Sequence, residues 1–462
     1  MRVISELSDT GRGLVENRLR LGVTGLSSAG KTVFVTALVQ ALQYPQNLSR
    51  LPAVRDGRFR AAVLRPQPSQ DLPRFPFEDN AGRLTGALGE PTWPPGTRRT
   101  SELRLSIRYR PRGVTGRLGE RILHLDLFDY PGEWLIDLGL LQHDYASWSE
   151  AMLDEMAAPD APPAAARAYL DFIDNLQPDA ADPDAEGRAI QAARLFGDYL
   201  EACQACRGRA SLHHPGRFLL PGDYAGSPLL TFAPLPPRTS AHPARKYSRG
   251  RRNTLRALMR QRFDAYLSSL VVPFQRDHFA RLDRQVVLVD LIGHIAEGAD
   301  TLGRLDREVE AVQRAMRIGS SWLPRALRPG IDRVLFAASK ADHLPCDQHP
   351  QLVEALRTSL TNSLRRTRFR GARCEAMALS ALRATREMTA PDRPGRTFLA
   401  GRPTDGREEI AHFPGAFDPG LSDPAAGFRP QAFRAPEGLR RDAAWPHLGL
   451  DGALEFLIGD RL

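Results

Sequence analysis

Lysine is almost missing from this chain. Only three of its 63 basic residues are lysines, Lys31, Lys246 and Lys340, and the rest are arginines. An arginine bias of that size is a coding preference, so the net charge of +9 says little about nucleic acid or any other anionic partner. Cysteine is scarce as well. Four in 462 residues cannot make a disulfide framework, which points to a reducing cytoplasm. Cys203 and Cys206 form a single C-x-x-C with no second pair at zinc spacing, so they read as part of a helix, not as a metal or redox site. Long apolar runs are absent: the longest, "VVLVDLIG", is far too short to span a membrane. The first twenty residues carry charges throughout and lack the apolar core of a signal peptide. With 42% apolar and 25% charged residues, disorder and membrane embedding are both excluded, and the length allows two or three globular domains.

Residues 19–24, "LRLGVT", predict a short strand, and 32–42, "TVFVTALVQAL", predict a helix with Phe34, Ala37, Leu38, Ala41 and Leu42 on one face. From about 44 to 100 the chain is rich in Pro, Gly and Arg and shows little periodicity. "ELRLSIRYR" and "RILHLDLF" alternate cleanly and predict a hairpin through the link at 111–120. Residues 135–280 offer helical stretches, 164–176 and 186–206 among them, and no convincing strand. "QVVLVDLI" at 285–292 and "RVLFAA" at 333–338 are continuous apolar runs, the signature of strands buried on both faces, with a charged helix predicted at 300–317 between them. Leu352, Leu356, Leu360 and Leu364 mark a helix, and "CEAMALS" another strand. Residues 386–446 have few periodic signals, and "DGALEFLIGDRL" predicts a closing helix. Strands alternating with helices predict an α/β fold: a mostly parallel sheet flanked by helices, with a large all-helical insertion. The expected division is 1–150 and 284–400 as the two halves of one domain, 151–283 as the insertion, and 401–462 as a C-terminal extension.

Gly25-x4-Gly30-Lys31-Thr32 sits between a predicted strand and a predicted helix, as a phosphate loop must. Backbone N–H groups along Gly25, Ser27, Ser28, Ala29, Gly30 and Val33 are placed to ring a β-phosphate at the helix N-terminus. Lys31 would reach the β- and γ-oxygens, and the Thr32 hydroxyl would ligate Mg²⁺. Asp129-Tyr-Pro-Gly132 ends a predicted strand, where nucleotide hydrolases place a carboxylate for Mg²⁺ and a glycine N–H for the γ-phosphate. Ser339-Lys340-Ala341-Asp342 ends another and is one substitution from [NT]-K-x-D, in which the carboxylate accepts from guanine N1–H and the exocyclic amine. The Lys340 stem would cover the purine face, and Ser380-Ala381-Leu382 would bring a backbone N–H to guanine O6.

"TGLSSAGKTVF", "DYPGEWL", "RLDRQVVLVDL", "SKAD" and "LEFLIGDRL" together resemble the YcjX-like family of bacterial P-loop NTPases, across nearly the whole chain. The resemblance implies a GTPase-type core binding GTP or GDP with Mg²⁺, acting as a molecular switch. It also implies an envelope-stress role beside a membrane protein, and hence a cytoplasmic chain peripheral to the inner membrane. Two positions depart from ordinary GTPases. Ser339 replaces the usual Asn or Thr. Glu133 stands where many have Gln, and a carboxylate accepts from water but cannot donate to the γ-phosphate, which predicts slow turnover. "GTRRTS" at 96–101 lies where a first switch belongs: Thr97 or Thr100 would be the second hydroxyl on Mg²⁺, and Arg98 or Arg99 an arginine supplied in cis. Two alternatives stay open, an ATP-preferring NTPase and a nucleotide-dependent scaffold with negligible hydrolysis. Residues 245–262 hold eight Arg/Lys and no acid; this reads as a solvated helix face, with contact to anionic lipid or an acidic partner as the alternative. It lacks the aromatic interleaving of a nucleic-acid site. His213, His214 and His294 lack metal-ligand spacing.

Overall fold

Five strands of the chain run parallel because the segments between them are long enough to cross back over the sheet. The computed structural model describes residues 17–25, 29–113, 119–158, 161, 163–205, 213–237, 254–297, 330–389, 396–406, 408–417 and 427–462. These fall into two compact units, one made of the residues up to Pro131 and from Arg281 onward, the other of Gly132–Ala280.

The first unit holds a seven-stranded sheet in the order β2-β3-β4-β1-β5-β6-β7. Its strands are β1 (Arg18–Gly25), β2 (Phe59–Arg65), β3 (Ser101–Tyr109), β4 (Arg121–Asp129), β5 (Arg284–Val289), β6 (Arg333–Ala338) and β7 (Arg373–Ala378). β2, β3 and β4 pair antiparallel, and β4, β1, β5, β6 and β7 pair parallel. This is the mostly parallel α/β sheet the sequence predicts. Every residue of β5 and β6 is buried, which is why those strands read as unbroken apolar runs. The expected 285–292 strand stops at Val289, and Leu291–Glu297 forms helix α3 instead.

Helix α1 (Lys31–Gln43) packs on β1, β2 and β4 through Phe34, Val35, Leu38 and Leu42. Helix α2 (Phe77–Leu84) lies against α1. Both β2 and α2 fall in the stretch that shows no periodicity. β2, "FRAAVLR", is an edge strand half exposed on both faces, so it needs no apolar alternation. The four-leucine stripe spans two helices, α4 (His349–Ser359) and α5 (Thr361–Phe369), because Leu360 leaves helical geometry at φ −112°. All four leucines are nonetheless buried. Region 386–446 also holds a small antiparallel sheet of β8 (Arg386–Thr389), β9 (Thr397–Gly401) and β10 (Ile410–His412). Strands of three to five residues are too short to reveal a period. The helix expected at 300–317 lies outside the described residues.

The closing helix α6 (Leu450–Ile458) packs on β6 and shares the core of α1. A knot of charge around two buried arginines fastens it. Arg284, fully buried at the start of β5, donates to the Leu457 carbonyl at 2.7 Å, to both Asp460 oxygens at 3.0 Å and to Asp332 at 3.2 Å. Arg333 pairs with Asp460 at 2.8 Å. In the second unit, four longer helices, Tyr145–Ala157, Pro163–Asp174, Ala185–Ala205 and Leu255–Tyr266, pack near Trp148; no strand occurs among its described residues. Trp148 stacks on Phe263 and meets Phe196 and Phe232 edge-on. Asp137, also fully buried, accepts from Gly216 N–H at 2.6 Å, from Tyr266 at 2.7 Å and from Arg217.

Replacing Arg284 with Met keeps most of its volume but leaves the Leu457 carbonyl without its donor and Asp460 with Arg333 alone. The expected loss is on the order of 1–3 kcal/mol, read as a lower urea midpoint. Arg440→Met, which breaks the exposed pair with Asp442, should leave that midpoint unchanged. Equal midpoints for the two variants would show that the knot does not hold the C-terminal helix.

Candidate functional site

A cavity of about 500 Å³ opens at the carboxyl ends of the parallel strands. It is lined by Ala29, Gly30, Lys31, Thr32 and Val33 at one end and by Ser339, Lys340, Asp342, Ser380, Ala381 and Leu382 at the other. The two motifs, some 300 residues apart in sequence, therefore share one space, as they must if a single ligand is to touch both.

The first end is built by β1 running into α1. Gly25 ends the strand where a Cβ would stand 2.7 Å from the Leu288 carbonyl, so only glycine fits beside β5. Gly30 takes a left-handed φ of 80° at the helix N-cap, a conformation that L side chains resist. Lys31 is buried and donates to the Gly25 carbonyl at 2.9 Å, folding its ammonium back across the loop. Ser27 and Ser28 lie outside the described residues.

Thr32, Thr97 and Asp129 meet beside this loop. The Thr32 and Thr97 hydroxyls are 3.2 Å apart, and Thr97 donates to Asp129 Oδ2 at 2.8 Å. Of the two threonines the sequence leaves open, Thr97 stands with Asp129. Thr100 is buried at the foot of β3, and its hydroxyl has no hydrogen-bond partner among the described residues. The chain turns into β3 at Ser101, which pairs with Asp129 in the ladder. Asp129 Oδ1 is buried and has no hydrogen-bond partner among the described residues. Burial pushes this carboxyl up to about 6, against the opposing pull of the Thr97 hydrogen bond and the Lys31 charge. Two hydroxyls and a carboxylate oxygen left unsatisfied are an oxygen donor set of the kind a hard divalent cation takes, so the residues fit Mg²⁺. Arg98 and Arg99 are exposed on the loop between Thr97 and β3, and neither lines the cavity. Gly132 and Glu133 belong to the second unit, where Glu133 opens a short helix.

At the other end, Ser339 is anchored on β5: its N–H and hydroxyl both donate to the Val289 carbonyl, at 2.8 and 3.2 Å. Lys340 has φ 57°, the one positive value outside glycine among the described residues. Its ammonium donates to Asp290 Oδ2 at 2.5 Å, and Asp290 Oδ1 accepts from Gly293 N–H at 3.1 Å. Asp290 thus fixes the lysine, a role that sequence reasoning missed. The signal was present, since Asp290 is the lone charge in "VVLVDLIG" at a strand end. Asp342 is buried and accepts from Ala384 N–H at 2.7 Å. Ala341 N–H donates to the Leu379 carbonyl at 3.1 Å, locking this loop to the one after β7, where Ser380 pairs with Leu448.

The sequence profile of the YcjX-like family, DUF463, matches residues 19–462. The chain belongs to this family. It is 35% identical to the Ras-like GTPase YcjX of Escherichia coli K12 over 100% of its own length and 99% of the relative's. It is 33% identical to the Ras-like GTPase YcjX of Shewanella oneidensis MR-1, over 97% and 95% of the two chains. The sheet order and flanking helices agree with a P-loop GTPase-like domain.

Other features singled out in the sequence find plainer roles. Of the basic run, 245–253 lie outside the described residues. Arg256, Arg260 and Arg262 pair with Asp179, Asp264 and Glu186; Arg260 is exposed, whereas Arg262 is buried, so this part of the run is not a uniformly solvated helix face. His214 is buried and bonded to Glu155 at 2.7 Å, with Cys203 close by. That side-chain trio is invisible in the spacing, and its carboxylate and imidazole satisfy each other. His294 bonds the Asp290 carbonyl through Nδ1 at 2.6 Å. No described helix is long and apolar enough to cross a membrane.

Asp129 gives a pH-dependent expectation. Its folded pKa of about 6 lies above the usual 3.8, so the folded state holds an extra proton between those values. Stability from that proton is present below about pH 4 and is lost as pH rises through 6. In metal-free protein at pH 7.5, Asp129→Asn should therefore raise stability by about 2–3 kcal/mol, an advantage that vanishes near pH 4. Urea midpoints at the two pH values test it, and a destabilised variant at pH 7.5 would contradict the burial cost.

Proposed function

We propose that this protein is a P-loop GTPase that binds GTP and GDP with Mg²⁺, hydrolyses GTP slowly and works as a molecular switch. The observation that carries this reading is the single cavity lined by both the Lys31 loop and the Asp342 loop. The Ras-like GTPase names of its relatives support it.

In this reading the N–H groups opening α1 and the dipole of that helix hold the phosphates. Lys31 exchanges the Gly25 carbonyl for the β- and γ-oxygens, a charge-assisted bond in place of a neutral one. Thr32, Thr97 and Asp129 would hold the cation, which when bound neutralises charge on the phosphate oxygens. Gly132 would offer its N–H to the γ-phosphate. Glu133 would orient water without donating a proton, and Arg98 or Arg99 would supply positive charge in cis; none of the three lines the cavity. Slow turnover follows from those two features. At the base end, Asp342 accepts two donors from guanine, while Lys340, held by Asp290, covers the ring face. Ser380, Ala381 and Leu382 form the remaining edge.

Adenine offers an acceptor at N1 and no amine at C2, so it would leave a buried carboxylate facing a lone pair. Unpaired buried polar groups cost about 1–3 kcal/mol each, which gives roughly hundredfold preference for GDP over ADP. Asp342→Asn should move that preference towards XDP, whose C2 carbonyl suits an amide donor. Calorimetric titration of GDP, ADP and XDP checks this, and equal binding of GDP and ADP by the wild type would replace the guanine reading with the adenine one. For turnover, Lys31→Ala and Thr97→Ala should each abolish phosphate release while Thr100→Ala retains it. Release unchanged in folded Lys31→Ala would defeat the phosphate-loop assignment.

A further inference from the structure

The base end of the cavity is completed from an unexpected place. Thr404, Ala432 and Phe433, all C-terminal to the sheet, line the same space as Asp342 and His343. Phe433 is buried, and its orientation is fixed from two sides. Its edge contacts Gly401, where a Cβ would stand 2.7 Å from Phe433 Cδ1, and its ring meets His343 at 88° with centroids 5.4 Å apart. Its backbone carbonyl accepts from Trp93 Nε1 at 2.8 Å. Trp93 and Pro94 also line the cavity and lead directly to Gly96 and Thr97. Farther along, the Arg441 and Ala443 carbonyls accept from Gln40 on α1, at 3.0 and 2.8 Å.

We infer that the C-terminal segment is part of the nucleotide site: Phe433 forms an aromatic wall for the base, and Trp93 positions that wall. The inference rests on reading the cavity as a nucleotide site, and it holds for either purine. His343, Leu379, Leu382 and Trp93 line the cavity too, and among them Phe433 is the ring seated between Gly401 and His343, the group best placed to supply π-face contact. A ring wedged between Gly401 and His343 contributes that contact without losing rotamer freedom on binding.

The test compares binding of GDP, ADP and inorganic pyrophosphate, each with MgCl2, to the wild type, Phe433→Ala and Trp93→Phe. Pyrophosphate reports the phosphate end alone and serves as the control for folding. Phe433→Ala is expected to weaken the preferred nucleoside diphosphate about tenfold or more while leaving pyrophosphate unchanged. Trp93→Phe keeps a large ring but removes the N–H donor. It should weaken the nucleotide about threefold to fivefold, again without touching pyrophosphate. Wild-type nucleotide affinity in Phe433→Ala, or equal losses for nucleotide and pyrophosphate, would overturn the base wall. Unchanged nucleotide affinity in Trp93→Phe would overturn its positioning role. If the wild type prefers ADP and Phe433→Ala weakens ADP alone, the wall stands and the guanine reading falls. A wild type that binds neither nucleotide overturns both.

Discussion

Parallel pairing from β4 through β1, β5 and β6 to β7 is the constraint on which the rest depends. Parallel strands deliver their carboxyl ends to one edge of the sheet, so the loops that follow them meet there whatever their separation in sequence. Lys31, Asp129, Asp290, Lys340 and Ser380 each stand within a few residues of a strand's carboxyl end. The register keeps them level, since Val23 pairs with both Asp129 and Val286, and Val289 with Ala338. Binding chemistry here is a by-product of topology, refined by the particular side chains at each strand end.

Those side chains are arranged with one conspicuous imbalance. At the base end the charges are matched: Lys340 meets Asp290, and Asp342 accepts a backbone N–H. At the phosphate end one group is left over. Asp129 Oδ1 is buried with no hydrogen-bond partner among the described residues, and the nearby Lys31 charge offsets only part of the cost of burial. A desolvated carboxylate oxygen is unfavourable for the protein alone. In the proposed function a bound cation would supply the partner it lacks. The asymmetry suits a site whose base end is preorganised and whose phosphate end gains most from its ligand.

What was legible in the sequence follows the strength of local signals. β3 and β4 announced themselves by alternation, β5 and β6 by unbroken apolar runs, and the phosphate loop by glycines whose need is visible in Gly25 against Leu288 and in the φ of Gly30. β2 hid because an edge strand needs little apolar surface, and β8 to β10 because each is only a few residues long. Which of Thr97 and Thr100 meets Asp129 depends on where the chain enters β3, a boundary that no pattern fixes to within three residues. Phe433 had no local signal at all. Its partner Trp93 is 340 residues away, and nothing in either neighbourhood marks the pairing.

The C-terminal segment then takes on a meaning beyond packing. It is fastened to the sheet by Arg284 and Arg333 through Asp460, and to α1 by Gln40. Ahead of both anchors in the chain, Thr404, Ala432 and Phe433 line the same cavity, and the Phe433 carbonyl accepts from Trp93, four residues from Thr97. Phosphate end and base end are therefore joined twice, once through the sheet and once through this strap. A segment fixed at rigid points and touching both ends of a ligand site transmits a change at one end to the other with little loss, since packed interiors yield poorly. Movement of the loop carrying Thr97 must either stretch the Trp93–Phe433 bond or carry the wall of the base pocket with it. The proposed switch would use this link between the Phe433 side of the cavity and the loop carrying Thr97.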